Sequence, residues 1–168
     1  RKAVLASIGS QLSRVHVLEL EGIDEDLIPR AVESIEVGEP VMAIEPVPGR
    51  ELAMLVHDDQ RTVLGLLDVA YGSVSPLQGV GRLDDYAFTP GGDFLVAATP
   101  DLARLGFLQL DNLHPTDLRL DDVPARVFAL PGGSIFVDHG DPFGRATLIP
   151  SAEATRDDSV VLSGFLLA

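Results

Sequence analysis

Short apolar runs, each closed by a polar turn, recur along the whole chain. PVPGRELAMLVHDD (46–59) reads as a strand, a tight turn and a second strand, and FTPGGDFLVAATPD (88–101) and ALPGGSIFVDHGDP (129–142) repeat the plan. The turn prolines Pro48, Pro90 and Pro131 lie 42 and 41 residues apart. After the second strand of each copy comes a polar hairpin (HDDQR, TPDLAR, HGDPFG) and then a third apolar segment, TVLGLLDV, LGFLQLD or RATLIPS. Leu64-Gly65-Leu66-Leu67 and Leu105-Gly106-Phe107-Leu108 are 41 residues apart, so a second landmark keeps the same period. TDLRL (116–120) then alternates, with Leu118 and Leu120 on one face and Asp117 and Arg119 on the other, the period of a half-buried strand. ESIEV (33–37) and SVSPL (73–77) hold the equivalent place, and the proline in SVSPL suits an edge strand that donates nothing to a ladder.

Four short strands joined by hairpins, repeating every ~42 residues, predict a β-propeller blade. The fold class expected is therefore all-β, a propeller of four-stranded antiparallel blades, about four of them present and belonging to a larger ring. The boundaries read from the landmarks are an incomplete blade over 1–38, blades at about 39–84, 85–122 and 123–162, and a terminal strand over 163–168. Within the first blade KAVLASIG, RVHVLELEG and ESIEV supply the second, third and fourth strands. IDEDLIPRAVESI (23–35) and DLARLGFLQLDNL (101–113) carry apolar residues at helical spacing. Pro29 and the repeat register assign them to strands, with a short turn near Asp24–Leu27. A β-sandwich would seldom keep a repeat at fixed spacing. Leu52, Met54 and Val56 are expected on one face of their blade and Ala53 and Leu55 on the other, both covered; Gly65 and Gly106 are expected where a neighbouring blade comes close.

The segments EPVPGRELAMLVHDDQRTVLGLLDV (45–69) and TPGGDFLVAATPDLARLGFLQLD (89–111) resemble the bacterial surface-layer and lactonase-like propeller repeat. The matching positions are Pro48, Gly49, Leu52, Val56, Leu67 and Asp68 in one copy and Pro90, Gly91, Phe94, Val96, Leu108 and Asp111 in the next. The likeness covers most of residues 40–150 and rests on turn and strand positions, so it implies a fold and carries over no catalytic residue. The chain departs from the Trp-Asp subclass, having no tryptophan and no Gly-His pair opening a blade.

Composition narrows the function classes. Acidic residues outnumber basic ones 26 to 12, a formal net charge of −14, which is the wrong field for nucleic acid and for an anionic membrane surface. No run approaches the ~20 apolar residues of a membrane-spanning helix. With no cysteine, disulfides and thiolate chemistry are excluded. The chain opens on Arg1 rather than methionine, and the expectation is a processed start or a piece of a longer precursor.

Candidate chemistry is sparse. HDD (His57, Asp58, Asp59) and DHGD (Asp138, His139, Asp141) both follow the second strand of a blade, so imidazole and carboxylates recur on one rim. Those six are candidate ligands for a divalent cation such as calcium, set against the plainer reading of solvated hairpins built from turn formers. DNLHPTDLRLDD (111–122) lacks the glycine and final glutamate of a calcium loop, and GVGR (79–82) lacks the strand-to-helix setting of a dinucleotide fingerprint. No catalytic and no cofactor-binding residues are assigned. Two functions follow. The first is a non-enzymatic binding or structural module, bacterial and extracytoplasmic (periplasm, cell surface or secreted), using rim loops. Its partner would be another protein or a surface polymer, with remaining blades from another chain or part of a precursor. The alternative is a lactonase-like or other hydrolytic propeller with a cation-dependent central site.

Overall fold

The computed structural model describes residues 2–6, 13–21, 28–78, 82–99 and 102–164. The chain divides into two compact units, Arg1–Val47 with Glu51–Leu77, and Pro48–Arg50 with Gln78–Ala168. The first unit holds a sheet of β1 (Lys2–Ala6), β2 (Arg14–Glu21) and β3 (Ile28–Glu36). Its second sheet comprises β4 (Ala43–Pro46), β5 (Leu52–Val56), β6 (Leu64–Asp68) and β7 (Ser73–Pro76). The second unit holds β8 (Asp85–Phe88), β9 (Phe94–Ala98), β10 (Arg104–Gln109) and β11 (His114–Arg119). Its other sheet is β12 (Arg126–Ala129), β13 (Ile135–Asp138), β14 (Ala146–Ile149) and β15 (Val160–Leu162). Within each sheet every strand pairs antiparallel with its neighbours in sequence, the up-and-down meander of a propeller blade. The all-β, four-stranded-blade architecture expected from the repeat is the one observed.

Local sequence explains the strands. Pro29 lies at a register shift in the β2–β3 ladder, between the Glu19–Ala31 and Leu20–Pro29 pairs, where an irregularity tolerates a missing donor. Pro76 sits on the outermost strand β7, opposite Gly65. On β11 and just beyond it, Leu118 and Leu120 are buried while Asp117 and Arg119 are exposed, as the alternation predicts. Arg104–Gln109 of DLARLGFLQLDNL form strand β10, and β3 begins five residues ahead of ESIEV. The turn expected near Asp24–Leu27 lies outside the described residues, apart from Asp24–Leu27's downstream neighbour Ile28 at the start of β3.

The three Pro-Gly turns close the first hairpin of their blades. Val47 N–H donates to Leu52 C=O (3.0 Å), Thr89 to Phe94 (2.9 Å) and Leu130 to Ser134 (2.8 Å). The positive φ falls on Gly49 in the first but on the second glycine, Gly92 or Gly133, in the others. Arg50, beside the first turn, reaches Asp93 (Nη2–Oδ1 3.0 Å) and Asp111, contacts within the second unit.

Each unit packs its own core. Val15, Val17, Ile35, Ala53, Leu55 and Leu67 lie in the first, and Val96, Leu105, Phe107, Val127, Ile135 and Ile149 in the second. On β5, Ala53 through Val56 are all buried, so both faces of that strand are covered as expected. In the second unit the Asp85 carboxylate accepts from the Val127 N–H, tying β8 to β12.

Two expectations need correcting. A side chain at Gly65 would meet His57 Nε2 and Val74 Cγ1 at 3.2 Å and Leu55 Cβ at 3.7 Å, so the crowding comes from its own sheet and not from a neighbouring blade. At Gly106 the nearest atom is the Ala97 carbonyl oxygen at 3.8 Å, an ordinary contact. Asp111 is not the counterpart of Asp68. Leu52 pairs with Asp68 and Phe94 with Gln109, so Gln109 holds the strand-end position and Asp111 follows two residues later, free to meet Arg50. The terminal strand expected over 163–168 lies largely outside the described residues. Val160–Leu162 form the outer strand of the last sheet, 43–52% exposed, and residues 165–168 lie outside the described set.

Candidate functional site

The two polar hairpins singled out by the sequence have one design. The β5–β6 hairpin (57–63) is closed by His57 N–H to Val63 C=O (3.0 Å), and the β13–β14 hairpin (139–145) by His139 N–H to Arg145 C=O (3.2 Å). His57 and His139 are thus equivalent, 82 residues or about two periods apart. Each turns its ring back to the approach to its own blade: Nδ1 lies 3.0 Å from Pro40 C=O in one and 3.1 Å from Val123 C=O in the other. A carbonyl only accepts, so Nδ1 carries the proton in both rings. In β9–β10 the corresponding residue is Thr99, whose N–H reaches Arg104 C=O at 3.4 Å.

The equivalence stops at Nε2. His139 Nε2 lies 2.8 Å from the hydroxyl of Thr147, a buried side chain on β14. Ladder position matches Thr147 with Gly65, because Val56 pairs with Leu64 and Asp138 with Ala146. His57 Nε2 therefore has no counterpart hydroxyl. His57, with Nε2 beside Gly65, lines a cleft of about 400 Å³ together with Val37, Glu39, Leu64, Gly65, Val74 and Pro76 among others.

The carboxylates shape the loops that carry them. Asp58 accepts from the N–H groups of Thr62 (2.7 Å) and Val63 (2.9 Å) and from the Thr62 hydroxyl. These bonds, the Thr62 hydroxyl first, hold the Asp58 carboxyl below the usual carboxylate range. Asp59 is exposed, with no hydrogen-bond or ion-pair partner among the described residues. Asp138 accepts from Gly140 N–H (2.9 Å), and Asp141 accepts from Phe143 N–H and pairs with Arg145 Nε (3.0 Å), which also reaches Asp122. Asp58 and Asp141 are thus structural acceptors rather than purely solvated turn charges. The six residues form two local sets, one in each unit, and among the described residues no three His, Asp or Glu side chains gather as a metal-binding group. Of the other histidines, His16 Nδ1 meets the Ser34 hydroxyl at 2.9 Å, and His114 opens β11.

One residue in this region escaped the sequence reading. Phe143, 70% exposed, occupies the tip of the second hairpin, between Pro142 and Gly144. Its own N–H is held by Asp141, and the next residue, Gly144 (φ +65°), donates to Asp141 C=O at 3.1 Å. The signal was present in DPFG: a large apolar residue inside a stretch otherwise made of turn formers. Tyr71 is displayed in the same manner after β6, 85% exposed, with Asp68 accepting from Ala70 and Tyr71 N–H groups.

No protein-family model matches the chain, and no curated protein matches it. Among solved structures it is similar to the hydrazine synthase of Kuenenia stuttgartiensis, at 14% identity and a TM-score of 0.54. That match covers 73% of this chain and 36% of the other, so the chain spans about a third of the length of that protein. The shared feature is the fold, the antiparallel blade of a β-propeller.

Proposed function

We propose that the chain is a non-enzymatic propeller module that engages another protein through its rim hairpins, nearer to the surface-layer kind of repeat than to the hydrolytic kind. The observation that carries this reading is Phe143. Leaving a phenylalanine in water forgoes roughly 1.5–3 kcal/mol of burial, and ordering a loop costs conformational entropy besides. Here Asp141, Arg145 and Gly144 spend their hydrogen bonds and backbone freedom on holding the backbone that carries that exposed ring. A rigid aromatic at a loop tip is an interface anchor that loses little further entropy on binding. The net charge of −14 suits a partner whose apolar socket is ringed by basic side chains.

The same bonds describe what His139, Asp138 and Asp141 do: they brace the hairpin. The test places a photoreactive benzoylphenylalanine at position 143 of the full chain in its native cells, with position 128 on β12, also an exposed phenylalanine, as control. The expected result is a discrete adduct with one other protein from position 143 only, lost when Asp141→Ala releases the hairpin. No adduct, or equal labelling from both positions, would refute the proposal.

A further inference from the structure

We propose that the cleft beside His57 binds the ammonium end of an aliphatic chain, as a primary amine or a lysine side chain. This stands apart from the reading of Phe143, because the cleft belongs to the first unit and Phe143 to the second. The argument starts from the comparison of the two equivalent hairpins. In one, Thr147 fills the space beside the imidazole and satisfies His139 Nε2 at 2.8 Å. In the other that place is Gly65, and even a single added carbon would sit 3.2 Å from His57 Nε2 and 3.2 Å from Val74 Cγ1. The imidazole and Val74 thus close in on Gly65, and no hydroxyl from β6 reaches the ring nitrogen, which is left unmatched beside the cleft.

The chemistry of that nitrogen selects the ligand. Because His57 Nδ1 gives its proton to Pro40 C=O, Nε2 presents a lone pair in the neutral ring, and among the described residues nothing donates to it. The other polar side chain of the lining residues that is free is that of Glu39, exposed and without a partner among the described residues; Glu36, also on the wall, is already paired with Arg14. Both free groups accept and neither donates. A ligand matching them brings several N–H donors and a positive charge, which an ammonium does and a carboxylate does not. Val37, Leu64, Val74 and Pro76 line the rest of the cleft and suit a short methylene chain.

The test follows the His57 ring by ¹H–¹⁵N correlation through its long-range couplings while n-butylammonium is added, with sodium butyrate and n-butanol as matched controls. A saturable shift is expected with the amine, on the order of millimolar affinity, and at least tenfold weaker response to butyrate. Glu39→Gln, an exposed change that leaves the fold alone, should weaken the amine several-fold. A lysine in a short blocked peptide binding tenfold tighter than n-butylammonium would identify a protein's side chain as the ligand, and equal binding a free amine; both uphold the site. Equal response to butyrate, no saturable shift at His57, or unchanged affinity in Glu39→Gln would overturn it.

Discussion

His139→Ala removes a side chain that joins three parts of one blade, and the structure gives the size of the loss. The ring donates Nδ1–H to Val123 C=O and accepts at Nε2 from the Thr147 hydroxyl. A hydrogen bond of the first kind contributes about 0.5–1.5 kcal/mol net. The Thr147 side chain is only 2% exposed, so stranding its hydroxyl adds the desolvation of an unpaired buried group, about 1–3 kcal/mol. The total expected is roughly 2–4 kcal/mol. His57→Ala breaks the equivalent bond to Pro40 but strands nothing, since Gly65 stands where the threonine would be, and about 1 kcal/mol is expected. The double variant His139→Ala/Thr147→Val should recover about 1–2 kcal/mol of the sum of the singles, because the stranded hydroxyl is gone. The chain has no tryptophan, so urea unfolding followed by far-ultraviolet circular dichroism is the suitable assay, with the m value checked for constancy. Equal losses in His57→Ala and His139→Ala, or strict additivity in the double variant, would refute the reasoning.

Two further outcomes follow from the turns and the carboxylates. Gly133→Ala should cost about 1–2 kcal/mol from its left-handed backbone (φ +84°), whereas Gly132→Ala, with open space and no such φ, should be neutral or slightly stabilising in thermal melts. The carboxyls of Asp58, Asp111 and Asp158 are held below their ordinary values, by the Thr62 hydroxyl, the Arg50 guanidinium and the Thr155 hydroxyl first in each case. A depressed folded value means that their stabilisation is present above the unfolded carboxylate pKa of about 3.9 and is lost as pH falls through the folded values. Stability should therefore decline on acidification below about pH 4, and Arg50→Ala should flatten that decline by removing Asp111's share, measured by urea midpoints across pH.

The repeat was legible because blades are local objects. Pro48, Pro90 and Pro131 mark hairpins within one sheet, and the alternation at Leu118 and Leu120 needs only the period of a strand. What escaped depends on partners that leave no trace in sequence. The acceptors of His57 and His139 are backbone carbonyls 17 and 16 residues upstream, and a carbonyl looks the same at Pro40, at Val123 and anywhere else. The pairing of Asp68 with Asp111 failed because both are an aspartate after an apolar strand; only the ladder shows that Gln109 is the true counterpart. His-Asp-Asp and Asp-His-Gly-Asp suggest ligands by type, yet in the folded chain Asp58, Asp138 and Asp141 turn to nearby N–H groups. Gly65 was noticed for its smallness, and its meaning emerged only beside Thr147.

Everything proposed for Phe143 requires that its hairpin be a fixed platform, and ¹⁵N relaxation of the amides of Asp141, Phe143 and Gly144 measures that directly. With Asp141 holding Phe143 N–H and accepting from Gly144, order parameters near those of the flanking strands, about 0.85, are expected. Values below about 0.6 at those amides, beside rigid β13 and β14, would contradict the account.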